Sequence, residues 1–377
     1  MKKIIFSFLS SLSLLSAEPI SEEINAFGSD FYQQSLIYEN ICFSPYSLFS
    51  GLSTAYLGAK EDTAAEMAKA LHIDPEDFSK IFSLFNKKIQ SNHLNSANAI
   101  WLGSQISISN EYQHVIQDLD IEVKNLDFSN KALSSSMINS WVAKKTNNKI
   151  SYLIAPSDIS KTTQAILTNA IHFQSTWIKP FKKNLTTPAD FTINDQEVAL
   201  VQMMKQTGHF PYYENENYQL LELPLSSSYA CFFLLPKTSF NNFENTLTLR
   251  TLLDQIHLAK HALIEVHLPK FTLEKALNVN EILQSLGIKK AFSPKANFSN
   301  LTQEGNLCID KILHKAYFSL EESGITASAA TAVIMNLTAT CVKQEPLISF
   351  TADHPFIFGI VDLNSDLVLF LGKLTRP

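Results

Sequence analysis

Three histidines come nearest to a metal-binding pattern: His257 and His261 in HLAKH, at helical i, i+4 spacing, followed by His267. Two imidazoles on one helix face could hold zinc. No acidic residue lies between them to act as a base, and IEVHLPKF reads as a strand that ends the helix. They are taken as surface histidines, and no metal is expected. Four cysteines are too few for a disulfide framework in a chain of 377 residues. Cys42, Cys231 and Cys308 lie in apolar, strand-like runs where a thiol behaves as a small hydrophobe, while Cys341 has polar neighbours. No G-x-S-x-G, Walker-type glycine run, Cys-x-x-Cys or His-Glu-x-x-His occurs, and the ten glycines are scattered. Neither an enzyme nor a cofactor is expected.

What stands out instead is EESGITASAATAVIM, residues 321 to 335, with no charged side chain from Gly324 through Val342. Read as a strand, one face carries Ile325, Ala327, Ala329, Thr331, Val333 and Met335, and the other Thr326, Ser328, Ala330, Ala332, Ile334 and Asn336. The first face is apolar and the second more polar. An Ala-rich helix and an exposed loop are competing readings. Small uncharged residues allow a segment to enter a crowded groove, and Thr, Val and Ile make it competent to pair as a strand.

The elements around it divide into helices first and strands later. DPEDFSKIFSLFNKKI reads as a helix capped by Asp74 with Pro75 in its first turn and Phe78, Ile81, Phe82, Phe85 and Ile89 on one face. DTAAEMAKAL and ALSSSMINSWVAKKT are two more. After Gln164 come AILTNAIHF, LLELPL, ACFFLLP, IEVHLPKF and KILHKAYFSLE, then the adjacent strands HPFIFGIVD and LVLFLGK. Between them VNEILQSLG makes a short helix closed by Gly287. Helices set apart from mostly antiparallel strands indicate an α+β architecture. No linker or repeat divides the chain.

In this setting the sequence resembles the serpins. HKAYFSLEESGITASAATAVIM is similar to that family's sheet strand, hinge and reactive loop. NICFSPYSLFSGLSTAYLGAKEDTAAEMAKAL, LTNAIHFQSTWIKPF, FTADHPFIFGI and VLFLGKLTRP resemble further family segments in the expected order. The resemblance implies a single domain over 18–377: three β-sheets, eight or nine helices, and an exposed reactive loop at about 324–345. It also implies an inhibitor consumed once, whose cleaved loop enters the central sheet and traps a protease. Serpin loop insertion is itself a known instance of strand addition and strain release. Carried over by motif, the hinge is Glu322, Gly324, Ile325, Thr326, Ala327, Ser328, Ala329, Ala330 and Thr331. Ser328 replaces a common alanine, Thr326 stands where Glu is frequent, and Ile325 is the first inward side chain. The scissile bond falls at Thr338-Ala339, with Leu337-Thr338 the alternative. Ser44, Ser47, Asn169 and His314 match the polar cluster where the sheet must part, and Trp177 the aromatic at the loop's mouth. Ser44 before Pro45 also reads as a plain helix N-cap, and His314 as a core histidine. The second functional reading is a carrier, chaperone or other binding protein whose loop never inserts.

The expected partner is an elastase-like or chymotrypsin-like serine protease, or a cysteine protease, because Lys and Arg are absent from 324–342. A monomer is expected, without nucleic-acid or membrane partners. Residues 1–17, MKKIIFSFLSSLSLLSA, read as a secretory signal cut after Ala17, with an uncleaved anchor the alternative because Leu15 is large for its place. The mature chain would hold 28 basic against 36 acidic residues, about −8 net, which disfavours nucleic acid. Lys80, Lys87 and Lys88 are read as a solvated helix face. Sequons occur at Asn184, Asn297, Asn300 and Asn336; the last lies on the proposed cleavage site, where a glycan would obstruct docking, so either it is unmodified or the source does not glycosylate. Export to the extracellular space, or to a bacterial periplasm, follows.

Overall fold

The computed structural model describes residues 18–89, 93–117, 119, 121–303, 307–326 and 345–377. Residues 1–17, Cys341, hinge positions Ala327 to Thr331 and the bond candidates Leu337, Thr338 and Ala339 lie outside these.

The chain opens with α1 (Glu18–Gln34), β1 (Ile41–Phe43), α2 (Pro45–Gly58), α3 (Glu61–Ala70), α4 (Phe78–Ile89), β2 (Leu94–Gly103), α5 (Asn110–Ile116) and β3 (Glu122–Leu126). Helix α6 (Lys131–Lys145) precedes β4 (Ala165–Phe173), β5 (Ser175–Thr176), β6 (Thr187–Asn194), β7 (Glu197–Glu214), β8 (Tyr218–Pro224) and β9 (Tyr229–Pro236). Then follow α7 (Phe240–Glu244), α8 (Leu249–Leu258), β10 (Lys260–Pro269), β11 (Phe271–Asn278), α9 (Asn280–Ser285) and β12 (Lys311–Glu321). The chain closes with β13 (Gly324–Ile325), β14 (Ile348–Thr351), β15 (Phe356–Asp362) and β16 (Leu367–Leu374).

Local chemistry explains several boundaries. The Ser44 hydroxyl accepts from Ser47 N–H at 3.1 Å and Pro45 fills the first turn, so α2 starts where the sequence places it. Gly287 ends α9 with φ +106°, and the Gly287 and Ile288 amides donate to the Gln284 and Leu283 carbonyls, a Schellman closure. In α4 the expectation fails by one turn. Asp77 takes φ +56°, and the Asp74 carboxylate accepts from Glu76 N–H in a local turn instead of capping the helix, which begins at Phe78. Its apolar face does pack inward through Phe78, Phe82, Phe85 and Ile89, leaving Lys80, Lys87 and Lys88 exposed.

The strands form two hydrogen-bonded networks. The first runs β3-β2-β4-β12-β13-β5, with β11 also on β12. The second runs β1-β16-β15-β9-β8-β7-β10-β14, with β6 on β7. The three sheets expected become two networks because β7 passes through two of them, pairing β6 by its first half, β10 by its second and β8 at its end. Aromatic side chains fill the space between the networks: Phe318 lies 4.5 Å from Phe358 and Phe271 5.0 Å from it, centroid to centroid. A second apolar cluster, including Trp101, Ile138, Val142, Ile166 and Leu313, seats α6 on the other face of β4 and β12. Strand β4 is therefore buried along its whole length. An ion pair with both groups buried, Lys373 Nζ to Glu244 Oε2 at 2.8 Å, ties β16 to α7. No helix among the described residues is long and apolar enough to cross a membrane.

Candidate functional site

Strands β4 and β12 run parallel, paired from Ile166↔Lys311 to His172↔Tyr317. Below their middle sits the N-terminus of α2, and there four of the residues singled out from the sequence meet. Ser44 N–H donates to His314 Nε2 at 3.1 Å, and His314 Nδ1 faces Asn169 Oδ1. Because Nε2 accepts, the ring proton is on Nδ1 and is donated to Asn169. The Asn169 amide then donates to the Ser47 carbonyl at 2.7 Å, to the Ser47 hydroxyl at 2.6 Å and to Asn98 Oδ1. All five side chains are buried. Full burial pulls the His314 imidazole down to about 3, so it stays neutral. Ser44 is both a helix cap and a member of the cluster, so its two readings are compatible. Asn98 was not legible beforehand: it enters only through the register that sets it opposite Asn169.

Above the last β4–β12 pair the seam is filled by the chain itself. After Glu321 the backbone turns, and β13 lies antiparallel to both β12 (Leu320↔Ile325, Glu321↔Gly324) and β5 (Gly324↔Thr176, Ile325↔Ser175). Gly324 has φ +149°, and a Cβ there would overlap the Ser175 carbonyl oxygen. Only glycine lets the two backbones approach. Ile325 is 0% exposed and part of the main core. Thr326 N–H still donates to Ser319 O at 2.8 Å.

This turn is clamped from outside. Trp177 Nε1 donates to Glu321 O at 2.9 Å, Trp177 N–H to Ser323 O at 3.1 Å, and Phe181 N–H to Glu322 O at 2.9 Å. The Glu322 carboxylate accepts from Thr186 at 2.9 Å and meets Lys270 Nζ at 2.8 Å. Burial would raise that carboxyl, but the hydrogen bonds from Lys270, its own amide and Thr186 outweigh it and hold the group below its ordinary value. Lys270 and Thr186 gave no signal in the sequence, since both are single residues distant in the chain.

Other expectations resolve differently. The helix carrying His257 ends before Ala259, and His261 is on β10, so the two imidazoles do not share a helix face; His257 instead contacts Asp366 at 3.2 Å. Among the described residues no group of three or more His, Cys, Asp or Glu is placed to hold a metal. Cys42 and Cys231 are buried in β1 and β9. Cys308 is outside any strand, its thiol donating to Gln164 Oε1 at 3.2 Å.

The family model described as serpin (serine protease inhibitor) matches residues 22–377. The chain belongs to the serpin family. This serpin is 34% identical over 372 residues to an uncharacterized serpin-like protein of Thermococcus kodakarensis, covering 96% of this chain and 86% of that one. It is 33% identical over 355 residues to the leukocyte elastase inhibitor of Bos taurus, covering 90% and 93%. Human thyroxine-binding globulin, solved in complex with thyroxine, superposes with a TM-score of 0.87 at 25% identity, covering 96% and 99%. A protein named as a protease inhibitor and one named for binding a small molecule are thus both among the proteins it resembles.

Proposed function

We propose that this serpin is a suicide-substrate inhibitor of an endopeptidase, acting outside the cell or in a bacterial periplasm. A serine or cysteine nucleophile of the target attacks the Thr338 carbonyl, or that of Leu337. The bond to the following nitrogen breaks, and the acyl-enzyme forms with release of the new amine. The freed strand then inserts before water hydrolyses the ester or thioester.

The observation that carries this reading is β13. Its two residues already lie antiparallel to β12, Gly324 fits where no side chain could, and Ile325 occupies the core. Extending the same registers downward brings position 331 level with both Asn169 and His314, so insertion must separate that pair. The sequence supplies a threonine there, able to donate and accept in their place. Inserting about a dozen residues adds backbone hydrogen bonds worth roughly 1 kcal/mol each, and converts a parallel pairing into two antiparallel ones. The state before cleavage is then held by its unfolding barrier.

A carrier reading draws support from a cleft of about 550 Å³ between α1, α8 and the turn at Asn364 to Asp366. Incubation with elastase-, chymotrypsin-, subtilisin- and papain-type proteases, followed by denaturing gels and mass spectrometry, separates the two. A covalent complex with a released peptide beginning at Ala339 or Thr338 supports inhibition. Clean cleavage by every protease, without a complex, favours the carrier.

A further inference from the structure

Three histidines share one outer sheet face, and two of them, His261 and His267, belong to the metal-like pattern of the sequence. Side chains alternate along β7, β10 and β14. Phe210, Ile264, Val266 and Phe350 point into the core, and the positions between them point outward. The registers Lys205↔His267, His209↔Leu263, Pro211↔His261 and Glu265↔Ser349 therefore set Lys205, His209, His261, Glu265 and His267 on the same outer face.

Three carboxylates on or beside this face each stand next to an imidazole. Glu345 Oε2 is 2.9 Å from His209 Nε2, Glu265 Oε2 is 3.9 Å from His267 Nε2, and Asp353 Oδ1 is 2.8 Å from His354 Nδ1. His354 Nε2 also donates to the Pro236 carbonyl at 2.9 Å, and the Asp353 hydrogen bond raises its pKa, so this pair holds its charge longest as pH rises. Burial lowers His267, with Lys205 adding to the effect and Glu265 and Asp353 opposing it. Lys179 donates to the Thr207 carbonyl at 2.6 Å but packs over Phe210, and Lys260 has the parity of Ile264, so both belong to the other side. With His209, His261 and His267 neutral, the carboxylates outweigh Lys205 and His354. With the three charged the balance reverses, and Glu265 and Glu345 each gain an internal cation.

We propose that this face is a docking surface for basic side chains of the protease that takes the loop, with Glu265 and Glu345 as specificity-determining residues that His209 and His267 withdraw in mild acid. This rests on the reading that a protease attacks the loop, whether or not insertion follows. The far stem of the loop ends on this face, because Glu345 is bonded to His209 and Ile348 pairs with Ile264. Thr338 precedes Glu345 by seven residues, at most about 25 Å of extended chain. A protease domain of about 200 residues is roughly 40 Å across, so one seated on that bond lies against the face. At neutral pH both carboxylates accept from its Lys or Arg side chains. On protonation the imidazoles compete for the same carboxylates, and His261 adds repulsion.

The test measures how fast the intact chain is consumed, complex and cleaved product counted together, by an elastase- or chymotrypsin-type protease that cuts the loop. The native protease is compared with the same protease succinylated on its lysines, between about pH 5.5 and 8 and at about 0.05 and 0.5 M salt. Each rate is divided by that protease's rate on a short peptide, which removes its own pH profile. Two exposed ion pairs predict that the native form reacts about fivefold faster than the succinylated one at neutral pH and low salt, an advantage that fades with salt and with acid. Glu265→Gln with Glu345→Gln should remove that advantage, and His209→Gln with His261→Gln and His267→Gln should flatten the pH dependence. Equal normalised rates for the two protease forms would overturn the inference. So would a loss in the Glu variant that is the same for both forms, since the pair would then only brace the stem. Clean cleavage without a complex would overturn inhibition, while the rates would still decide this inference. A loop left uncut by every protease would overturn both.

Discussion

Replacing Asn169 by alanine tests the polar cluster most sharply, because one amide carries four of its contacts. The substitution removes the donors to the Ser47 carbonyl, the Ser47 hydroxyl and Asn98 Oδ1, and the acceptor for His314 Nδ1. Of the Ser47 groups, the carbonyl stays bonded within the helix, while the buried hydroxyl loses the Asn169 donor. His314 Nδ1–H and Asn98 Oδ1 are left buried without partners. At roughly 1–3 kcal/mol for each orphaned group, the loss is about 3 kcal/mol or more. Because the waiting state is held by a barrier, the readout is the unfolding rate in urea, followed by circular dichroism. If the cluster is intact only in the folded state, 3 kcal/mol corresponds to unfolding about 150-fold faster. The loop-cleaved form should lose less, since insertion separates Asn169 from His314 in any case. An unfolding rate within about fivefold of wild type, or an equal loss in both forms, would refute the reasoning.

Three further outcomes follow from the same geometry. His314 is lowered to about 3 when folded against about 6.5 when unfolded, so between those values the unfolded chain binds the extra proton and stability falls as pH falls. At pH 5 this amounts to about 2 kcal/mol relative to pH 7.5; His314→Gln should remove that part of the slope in urea titrations across pH 5 to 7.5. Glu23 and Glu222, both raised to about 7 by burial, act in the opposite sense, which is why the comparison needs the variant. Gly324→Ala should expel β13, because its Cβ meets the β5 backbone; hydrogen exchange at the Thr326 amide should rise to that of an open loop, and unchanged protection would contradict the fit. Lys373→Ala leaves Glu244 buried beside the Tyr32 hydroxyl without its cation, and should cost about 3–5 kcal/mol, whereas Lys373→Met with Glu244→Leu should recover most of it. Chemical denaturation of the two variants checks both halves.

How much of this was legible depended on whether a feature is local. KILHKAYFSLE and AILTNAIHF are unbroken β-prone runs, and they coincide with β12 and β4. Ser44-Pro45 and Gly287 act within a few residues, so their caps were readable. Strand β2 was hidden because Asn95, Ser96 and Asn98 interrupt its apolar pattern, and they do so because that segment contributes a polar side chain to the cluster. The length of β7 was hidden by Gly208 and Pro211, which usually end strands. Lys270 and Thr186 at Glu322 are products of tertiary packing with no local trace. The start of α4 was misplaced because a left-handed Asp77 cannot be told in sequence from an ordinary first-turn acid.

The central claim is that the chain beyond Thr326 can become a strand between β4 and β12. The measurement that meets it most directly is the thermal midpoint of the wild-type protein before and after a single cut within residues 327–344. About a dozen new hydrogen bonds at roughly 1 kcal/mol each, against an unfolding entropy near 2.1 cal/mol/K per residue, predict a rise of about 15 °C or more. An unchanged midpoint would mean that the loop stays outside the sheet after cleavage, and that β13 marks the end of its travel and not the beginning.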